Sequence, residues 1–171
     1  LSIYKNIEKQ ILVNKINIEG NSITKDKVLR SKISIEPGDY YLSYNKVKSL
    51  RRLNNLRYIN SVEIKENSVN DSLDLDVIID ENKKTGNFLL AGSFSGDTGL
   101  GFAIALNDYN FAGSGNELKS SFDINTEEAK FEINYKQYLI NNPSLSNNYE
   151  IFNRENDLTS SFGFKTEETG V

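Results

Sequence analysis

The chain has 171 residues, with 20 Lys or Arg, 24 Asp or Glu and a net charge of −4, a length that suits one domain or two small ones. The absence of His and Cys from the sequence excludes imidazole bases, thiol nucleophiles, disulfides and zinc sites built from nitrogen and sulfur ligands. Nucleic-acid-binding surfaces are usually basic, so this acidic balance predicts no nucleic-acid partner.

The first predicted elements are a strand and a short helix. Three apolar residues share one face of the strand: Leu12, Ile16 and Ile18. The strand ends near the turn residue Gly20, and Thr24 is a suitable N-cap for the helix that follows. The residues of this helix that are predicted to face the core are Val28, Leu29 and Ile33.

A second amphipathic helix and two strands complete the first predicted domain. Four apolar residues at helical spacing define the buried face of this helix: Val47, Leu50, Leu53 and Leu56. Its outer face is basic and is predicted to be solvated: Lys46, Lys48, Arg51 and Arg52. Strands follow at residues 58–65 and 73–79, and the second of them alternates apolar residues with Asp74 and Asp76. The predicted order is β-α-α-β-β, which is an α+β domain.

The composition changes after Glu81. All nine Phe and nine of the eleven Gly follow that residue. The polar run 82–86 lacks periodicity and is predicted to be a short connector. The chain therefore divides into an incoming linker at 1–10, a domain at 11–81, the connector at 82–86 and a second region at 87–171. Because the chain begins with Leu1 and contains no Met, we expect it to be an internal fragment of a longer protein.

The second region is predicted to be an antiparallel meander. Large apolar side chains alternate with small or polar ones in four segments, around residues 88–94, 100–106, 118–124 and 131–135. A weaker strand is predicted near 148–155, and another begins at Phe162. The apolar face would pack a core in a soluble sandwich or meet lipid in a membrane barrel. The polar opposite face suits a wet barrel lumen, but the pattern leaves both architectures open.

The order of these segments resembles a known family. The β-α-α-β-β unit, with Ile18 to Asn21 closing its first strand, resembles a POTRA domain. The passage from Asp76 to Phe88, and the segment from Asp108 to Asn116, resemble the join between the last POTRA domain and the barrel of the BamA family of outer-membrane protein assembly factors. Asn142 and Pro143 are similar to a turn of that family. Arg57 departs from the pattern, because POTRA domains usually have Gly after the second helix.

The resemblance implies that residues 87–171 are the first strands of a transmembrane β-barrel in the cell outer membrane, with the POTRA-like part in the periplasm. It implies that the protein assembles and inserts β-barrel proteins. The implied partners are unfolded outer-membrane proteins, accessory lipoproteins of the assembly complex and outer-membrane lipid, with no cofactor, metal or enzymatic activity. Two alternatives remain: a related POTRA-barrel protein that translocates a polypeptide, of the TamA-like or two-partner secretion type, and a passive barrel such as a porin or adhesin.

Three candidate sites follow from the resemblance. An edge for the addition of a substrate strand comprises Tyr58, Ile59, Asn60, Ser61, Val62, Glu63, Ile64 and Lys65. A lateral gate strand, which would pair weakly with the last strand of the barrel, comprises Asn87, Phe88, Leu89, Leu90, Ala91, Gly92, Ser93, Phe94 and Ser95. A periplasmic turn, whose glycines allow positive φ, includes Asp108, Asn110, Phe111, Gly113 and Gly115.

Each site also has a simpler interpretation. The edge strand would simply face water, and the gate would be an ordinary strand with Gly at a bend. The glycines of the turn resemble a phosphate-binding loop, but no Lys and no helix follow them, so nucleotide binding is not predicted. Calcium binding is not predicted for the acidic residues near Asp74 and Asp76, because these two alternate along a strand instead of converging in a loop. No constellation of side chains suggests a catalytic residue.

Overall fold

The computed structural model describes residues 11–96, 98–140, 145–159 and 163–171. The chain forms two compact units, Leu1–Lys83 and Lys84–Val171. The predicted linker 1–10, the pair Asn142 and Pro143, and Phe162 lie outside the described residues.

The first unit has the predicted β-α-α-β-β order. Its elements are β1 (Leu12–Glu19), α1 (Asp26–Arg30), α2 (Ser43–Asn54), β2 (Ile59–Val69) and β3 (Ser72–Glu81). The sheet order is β1-β3-β2, with β3 parallel to β1 and antiparallel to β2. Neither α-helix in the described part of the chain is long and apolar enough to cross a membrane.

The central strand β3 supplies much of the core of this unit. Its four alternating apolar residues are buried as predicted: Leu73, Leu75, Val77 and Ile79. Leu29 of α1 and Leu53 of α2 are also buried. These residues share one face of β3, because successive side chains of a strand point to opposite faces, and the alternation in the sequence indicates the buried side.

A bulge in β1 changes which of its residues face the core. The pairing of β1 with β3 shifts between Val13 and Lys15. As a result Val13 and Ile16 are buried, whereas Leu12 is 41% exposed. The prediction that Leu12 faces the core is therefore wrong, because an extra residue in one strand breaks the period of two on which it rested.

Both helices differ from prediction in detail. The N-cap of α1 is Lys25, without a side-chain hydrogen bond, so the assignment of Thr24 is wrong. On α2, Leu53 and Ser49 face the core, while Val47 is 53% exposed. The hydroxyl of Ser49 accepts a hydrogen bond from the N–H of Ser34 at 2.8 Å. Ser49 is thus buried, although the predicted apolar face of α2 did not include it.

The helix α2 ends without a left-handed residue. Its C-cap, Asn55, has φ −79° and ψ −5°, and among the described non-glycine residues only Asn70 and Ala112 have positive φ. Arg57 therefore avoids the strain that the usual Gly position of a POTRA domain would impose on it.

The second unit is a meander of six strands. They are β4 (Gly86–Ser95), β5 (Gly99–Asp108), β6 (Glu117–Ile124), β7 (Glu128–Tyr138), β8 (Ser146–Leu158) and β9 (Phe164–Gly170). Each strand pairs antiparallel with the next one along the chain. The predicted meander is confirmed, although Gly86 belongs to the first strand and not to the connector. The weakly predicted fifth strand, β8, has 13 residues.

The two faces of this sheet differ in chemistry. On one face, called here the outer face, the register aligns Ile104 with Phe122, and Phe122 with Phe131. The opposite face, called the inner face, aligns Asp123 with Lys130. Apart from half-buried Leu118, the Phe, Leu and Ile side chains of the outer face on β4 to β6 are between 41% and 79% exposed. A sandwich would bury them, so the outer face of this sheet suits contact with lipid.

Candidate functional site

The β2 strand forms an open edge of the three-stranded sheet. It pairs with β3 on one side only. Within the described residues, the backbone of 61–65 is hydrogen-bonded to no strand other than β3. Tyr58 lies just before the strand, and its carbonyl accepts the N–H of Asn82 at 2.9 Å. The predicted edge therefore exists over most of its length.

The other edge of the same sheet, at β1, is partly occupied. The segment after α1 runs beside the start of β1 and exchanges backbone hydrogen bonds with it. The N–H of Val13 donates to the carbonyl of Asp39 at 2.8 Å, and the N–H of Gly38 donates to the carbonyl of Val13 at 2.7 Å. An added strand would have to displace these bonds, so β2 is the more accessible of the two edges.

The side chains of β2 alternate between core and solvent. Ile59 and Ile64 are buried, whereas Glu63 and Lys65 are exposed. Farther along, Glu66 accepts hydrogen bonds from the Tyr41 hydroxyl and from the Lys46 ammonium, the latter at 2.5 Å. Lys46 therefore anchors α2 to β2, and the prediction that it belongs to a purely solvated face is wrong.

The pKa values in this cluster follow its geometry. Burial and the hydrogen bond to Glu66 raise the pKa of Tyr41 to about 12. The hydrogen bonds from Lys46 and Tyr41 lower the pKa of Glu66. Glu66 is thus held as a carboxylate beside a neutral phenol and an ammonium group, which keeps the distal half of β2 tied to the helix.

Glu81 accepts several hydrogen bonds through its carboxylate, and the sequence pattern gave no indication of this. It is 8% exposed. Its carboxylate accepts the backbone N–H groups of Ser22 and Ile23 at 2.7 Å and of Thr24 at 2.8 Å. Burial acts to raise the pKa of Glu81, but these hydrogen bonds outweigh it and the pKa is lowered. Glu81 therefore ties the loop before α1 to the end of β3.

The β4 strand lies at one edge of the six-stranded sheet, and β9 lies at the other. β4 pairs with β5 from Gly86 opposite Asp108 to Ser95 opposite Gly99. All ten of its residues are exposed. On the inner face its partners are small, as in the pair of Ser93 with Gly101. Because small side chains contribute little packing, β4 is held to the sheet chiefly by its backbone hydrogen bonds to β5.

The turn after β5 is held by several hydrogen bonds among its own residues. A short 3₁₀ turn spans Phe111–Gly113, and Gly113 and Gly115 have the positive φ that was expected of them, 67° and 71°. Ala112 also has positive φ, 52°, which the sequence did not predict. Asn110 is 2% exposed and accepts the N–H of Gly115 at 2.7 Å. Its own N–H donates to Asp108 at 2.9 Å.

Asn116 connects this turn to β7. Its amide nitrogen donates to the hydroxyl of Tyr135 at 2.7 Å, and its amide oxygen accepts the N–H of Tyr138 at 3.1 Å. The ring of Phe111 contacts Tyr135 edge-on at a centroid distance of 6.4 Å. The sequence prediction omitted Asn116 and Tyr135 from the site, since their pairing depends on the register of β6 against β7.

Replacing Asn116 with Ala is expected to destabilise the folded sheet by roughly 2 kcal/mol, because the side chain, which is 8% exposed, loses two hydrogen bonds that join the turn to β7. The measurement is the temperature at which the folded band of the full-length protein disappears in semi-native electrophoresis. Ser114→Ala is the matched control, since that hydroxyl bonds only within the turn: it donates to the carbonyl of Phe111 and accepts the backbone N–H of Asn116 at 3.4 Å, without contacting β7. Equal losses in the two variants would contradict a special role for Asn116.

The aspartates of β3 are paired with amides. Asp74 accepts a hydrogen bond from Asn14 at 2.8 Å, and Asp76 accepts one each from Asn17 at 2.7 Å and Asn67 at 2.6 Å. Among the residues that the structure describes, no group of three or more acidic side chains could hold a metal ion. The aspartates belong to a solvated sheet face with local amide partners.

Comparison with known proteins agrees with this architecture. Residues 11–82 match the POTRA family model, described as a surface antigen variable number repeat. The outer membrane protein assembly factor BamA of Buchnera aphidicola subsp. Acyrthosiphon pisum (strain APS) is 29% identical over 171 residues, covering 93% of this chain and 28% of the relative. The chain therefore spans about a quarter of the length of that relative.

Two solved structures are similar. The crystal structure of BamA from Haemophilus ducreyi lacking POTRA domains 1–3 has a TM-score of 0.71 and 25% identity, covering 85% of this chain and 28% of that one. CdiB from Acinetobacter baumannii has a TM-score of 0.54 and 16% identity, covering 93% of this chain and 32% of that one. The likeness to CdiB shows the fold alone.

The first unit is a POTRA domain, and the second is the beginning of an antiparallel transmembrane β-barrel. The chain thus has the architecture of a POTRA-barrel protein of the outer membrane, with its POTRA domain in the periplasm. Within that class it belongs to the BamA family, as the resemblance in its sequence predicted.

Proposed function

We propose that this chain takes part in the assembly and insertion of β-barrel proteins into the outer membrane. The observation that carries the proposal is the open edge of the POTRA sheet at β2, and β4, the first strand of the barrel sheet, is proposed as the second pairing site. Open edges accept an incoming strand through backbone hydrogen bonds, with little dependence on its side chains. Unfolded outer-membrane proteins are the proposed substrates, and accessory lipoproteins are proposed partners.

The proposed mechanism requires no enzymatic chemistry. A substrate strand that pairs with β2 would satisfy its backbone groups before it enters lipid, where unpaired N–H and C=O groups are costly. Transfer to β4 would then supply the same bonds inside the membrane. The small inner-face partners of β4 support this step, because a strand held mainly by hydrogen bonds exchanges partners more readily than one locked by packing.

The β2 step predicts selective cross-linking. With a photoreactive benzoylphenylalanine at Glu63 of the full-length protein, we expect a cross-link to a substrate arrested during assembly. The matched control carries the probe at exposed Lys15 on β1, the opposite edge of the same sheet, and should give little product. Equal cross-linking at both positions would remove the preference for β2. Proline at Ile64 is a poor alternative, since that residue is 5% exposed and also packs the core.

The β4 step predicts a second cross-link. A cysteine at Ser93 should form a disulfide with a cysteine in the C-terminal strand of a stalled substrate. Ser121→Cys is the control, because Ser121 lies on the same inner face but in β6, which is paired on both sides. Cross-links from Ser93 only to the protein's own last strand would contradict the proposal.

The cysteine variants at Ser93 and Ser121 also distinguish the proposed function from its alternatives. A translocating POTRA-barrel protein, of the TamA-like or two-partner secretion type, would pass its polypeptide through the lumen and yield cross-links at Ser121. A passive barrel such as a porin or adhesin would yield none at either position. The gate proposal requires the product at Ser93 without the one at Ser121.

A further inference from the structure

We infer that the β8–β9 hairpin projects out of the lipid on the cell-surface side, so that both of its faces lie in water. The inference begins with the residues of β8 and β9 that continue the outer face of the sheet. In contrast to the apolar residues of β4 and β5, the outer-face positions from Asn153 onward on β8 and up to Thr169 on β9 are all polar: Asn153, Glu155, Asp157, Lys165, Glu167 and Thr169.

The change in chemistry occurs between neighbouring strands. Phe131 of β7 lies opposite Asn153 of β8, and Ala129 lies opposite Glu155. Glu155 in turn lies opposite Glu167 of β9. Two carboxylates placed directly opposite each other repel, and in hydrocarbon that repulsion would be unscreened by water.

The contacts on this face are those of a hydrated surface. Glu155 forms an ion pair with Lys165, whose side chain is 47% exposed. The amide of Asn153 donates to the hydroxyl of Thr169 at 2.8 Å. Glu167 adds a further charge beside them. A lipid-facing strand carries an apolar side chain at every second position, and this half of the hairpin has none.

The inner face of the same segment is polar as well. Arg154 lies opposite Glu168, and Asn156 lies opposite Thr166. Between Asn153 and Asp157 on β8, and between Lys165 and Thr169 on β9, neither face offers an apolar row. A strand in a membrane needs one apolar face, whereas a strand with two polar faces suits water on both sides.

The direction of the chain places this segment at the outer end of the barrel. The POTRA domain lies in the periplasm and the chain enters β4 at Gly86, so even-numbered strands run outward. β8 therefore leaves the periplasmic side with Tyr149 and Ile151 on its outer face and reaches the polar segment afterwards. Tyr149 stacks on Tyr135 at 6.4 Å, which is typical of an aromatic belt at a membrane surface.

Single-cysteine labelling tests this inference, since the chain has no native Cys. Glu155→Cys, Glu167→Cys and the milder Thr169→Cys are compared with Phe131→Cys and Ile104→Cys in the full-length protein on intact cells. A membrane-impermeant maleimide should label the three polar positions at least ~10-fold faster than the two apolar ones, because a thiol in hydrocarbon does not ionise. The unsubstituted protein gives the background, and semi-native electrophoresis confirms that each variant is folded.

A second readout makes the negative results informative. Each variant is labelled in denaturant with a small fluorophore, refolded and reconstituted with brominated lipids. Slow labelling on cells together with quenching by lipid would place the hairpin in the membrane and overturn the inference. Slow labelling without quenching would mean that protein covers the face, which would overturn it equally. Both readouts concern topology, so failure of the assembly function leaves them unchanged.

Discussion

Replacing Glu81 with Ala is expected to lower the free energy of unfolding of the POTRA domain by roughly 3 kcal/mol. The substitution removes the carboxylate that accepts the N–H groups of Ser22, Ile23 and Thr24. These donors lie in the loop before α1, and Thr24 is buried. The buried N–H of Thr24, left without an acceptor, costs more than the net gain of an ordinary hydrogen bond, whereas Ser22 and Ile23 are exposed residues whose N–H groups lose a charge-assisted bond.

Hydrogen exchange followed by mass spectrometry on the full-length protein measures this effect within the POTRA domain alone. The amides of α1 and β3 should lose protection by about 100-fold, which corresponds to the expected change in free energy. Glu63→Ala is the control, since Glu63 is exposed on the same sheet and its removal should leave protection nearly unchanged. A loss confined to residues 22–24 would mean that Glu81 orders only the loop.

The contribution of Glu81 depends on pH in a defined direction. Its pKa in the folded domain is lowered, so the folded state favours the carboxylate more than the unfolded chain does. The stabilisation is fully present above the unfolded pKa of about 4.3 and is lost as the pH falls through the folded pKa. Glu81→Gln should therefore differ from the unsubstituted protein at neutral pH, and the two should converge only as the pH falls below the lowered pKa of folded Glu81. A constant difference across this range would contradict the ionic character of these hydrogen bonds.

Replacing Gly20 with Ala is expected to prevent stable folding of the POTRA domain, with a cost of about 4 kcal/mol or more. Gly20 has φ +89°, and a Cβ placed on it would lie 2.0 Å from the carbonyl oxygen of Ile79. That oxygen belongs to the central strand β3, which is bonded on both sides. Neither backbone can move away without breaking the sheet, so the clash adds to the strain of the left-handed conformation.

Gly38→Ala separates these two contributions. Gly38 has a similar φ of +95°, but nothing lies within 4 Å of a Cβ placed there. Its cost should be limited to backbone strain of about 1–2 kcal/mol. Protection factors of the β3 amides in the full-length protein provide the comparison. If both variants lose the same amount, the close approach of Gly20 to Ile79 is not what makes glycine necessary.

The alternation of apolar residues was the most informative feature of the sequence. It predicted the buried side of β3 and the meander of the second unit, because side chains on a strand must point to alternate faces. The residues of the join between the units carried the family resemblance. Neither prediction required knowledge of which strands are neighbours.

Predictions that needed the position of one element relative to another were less successful. Leu12 was misplaced because a bulge in β1 resets the alternation. Val47 was misplaced because the packing of α2 brings Ser49 to the core. In both cases the helix or strand was predicted correctly, but its orientation depends on neighbours that are distant in sequence.

The candidate sites show the same division. The sequence located the edge strand, the first barrel strand and the glycines of the turn. It could not identify Glu81 as the acceptor for a loop that precedes it by more than fifty residues, with Thr24 separated from it by 57 positions. Nor could it identify Asn116 as the partner of Tyr135 across 19 positions. Hydrogen bonds of this kind exist only once the register is set.

By itself, the sequence determined the class of this protein: an α+β POTRA domain followed by alternating strands, without His or Cys. Local chemistry and periodicity suffice for that, because they act between residues that are close along the chain. The tertiary structure decided which strand edges stay open, which carboxylate is buried and where the outer face of the sheet turns polar. These properties depend on strand order and register, since pairing distant segments determines which backbone groups and side chains remain without neighbours.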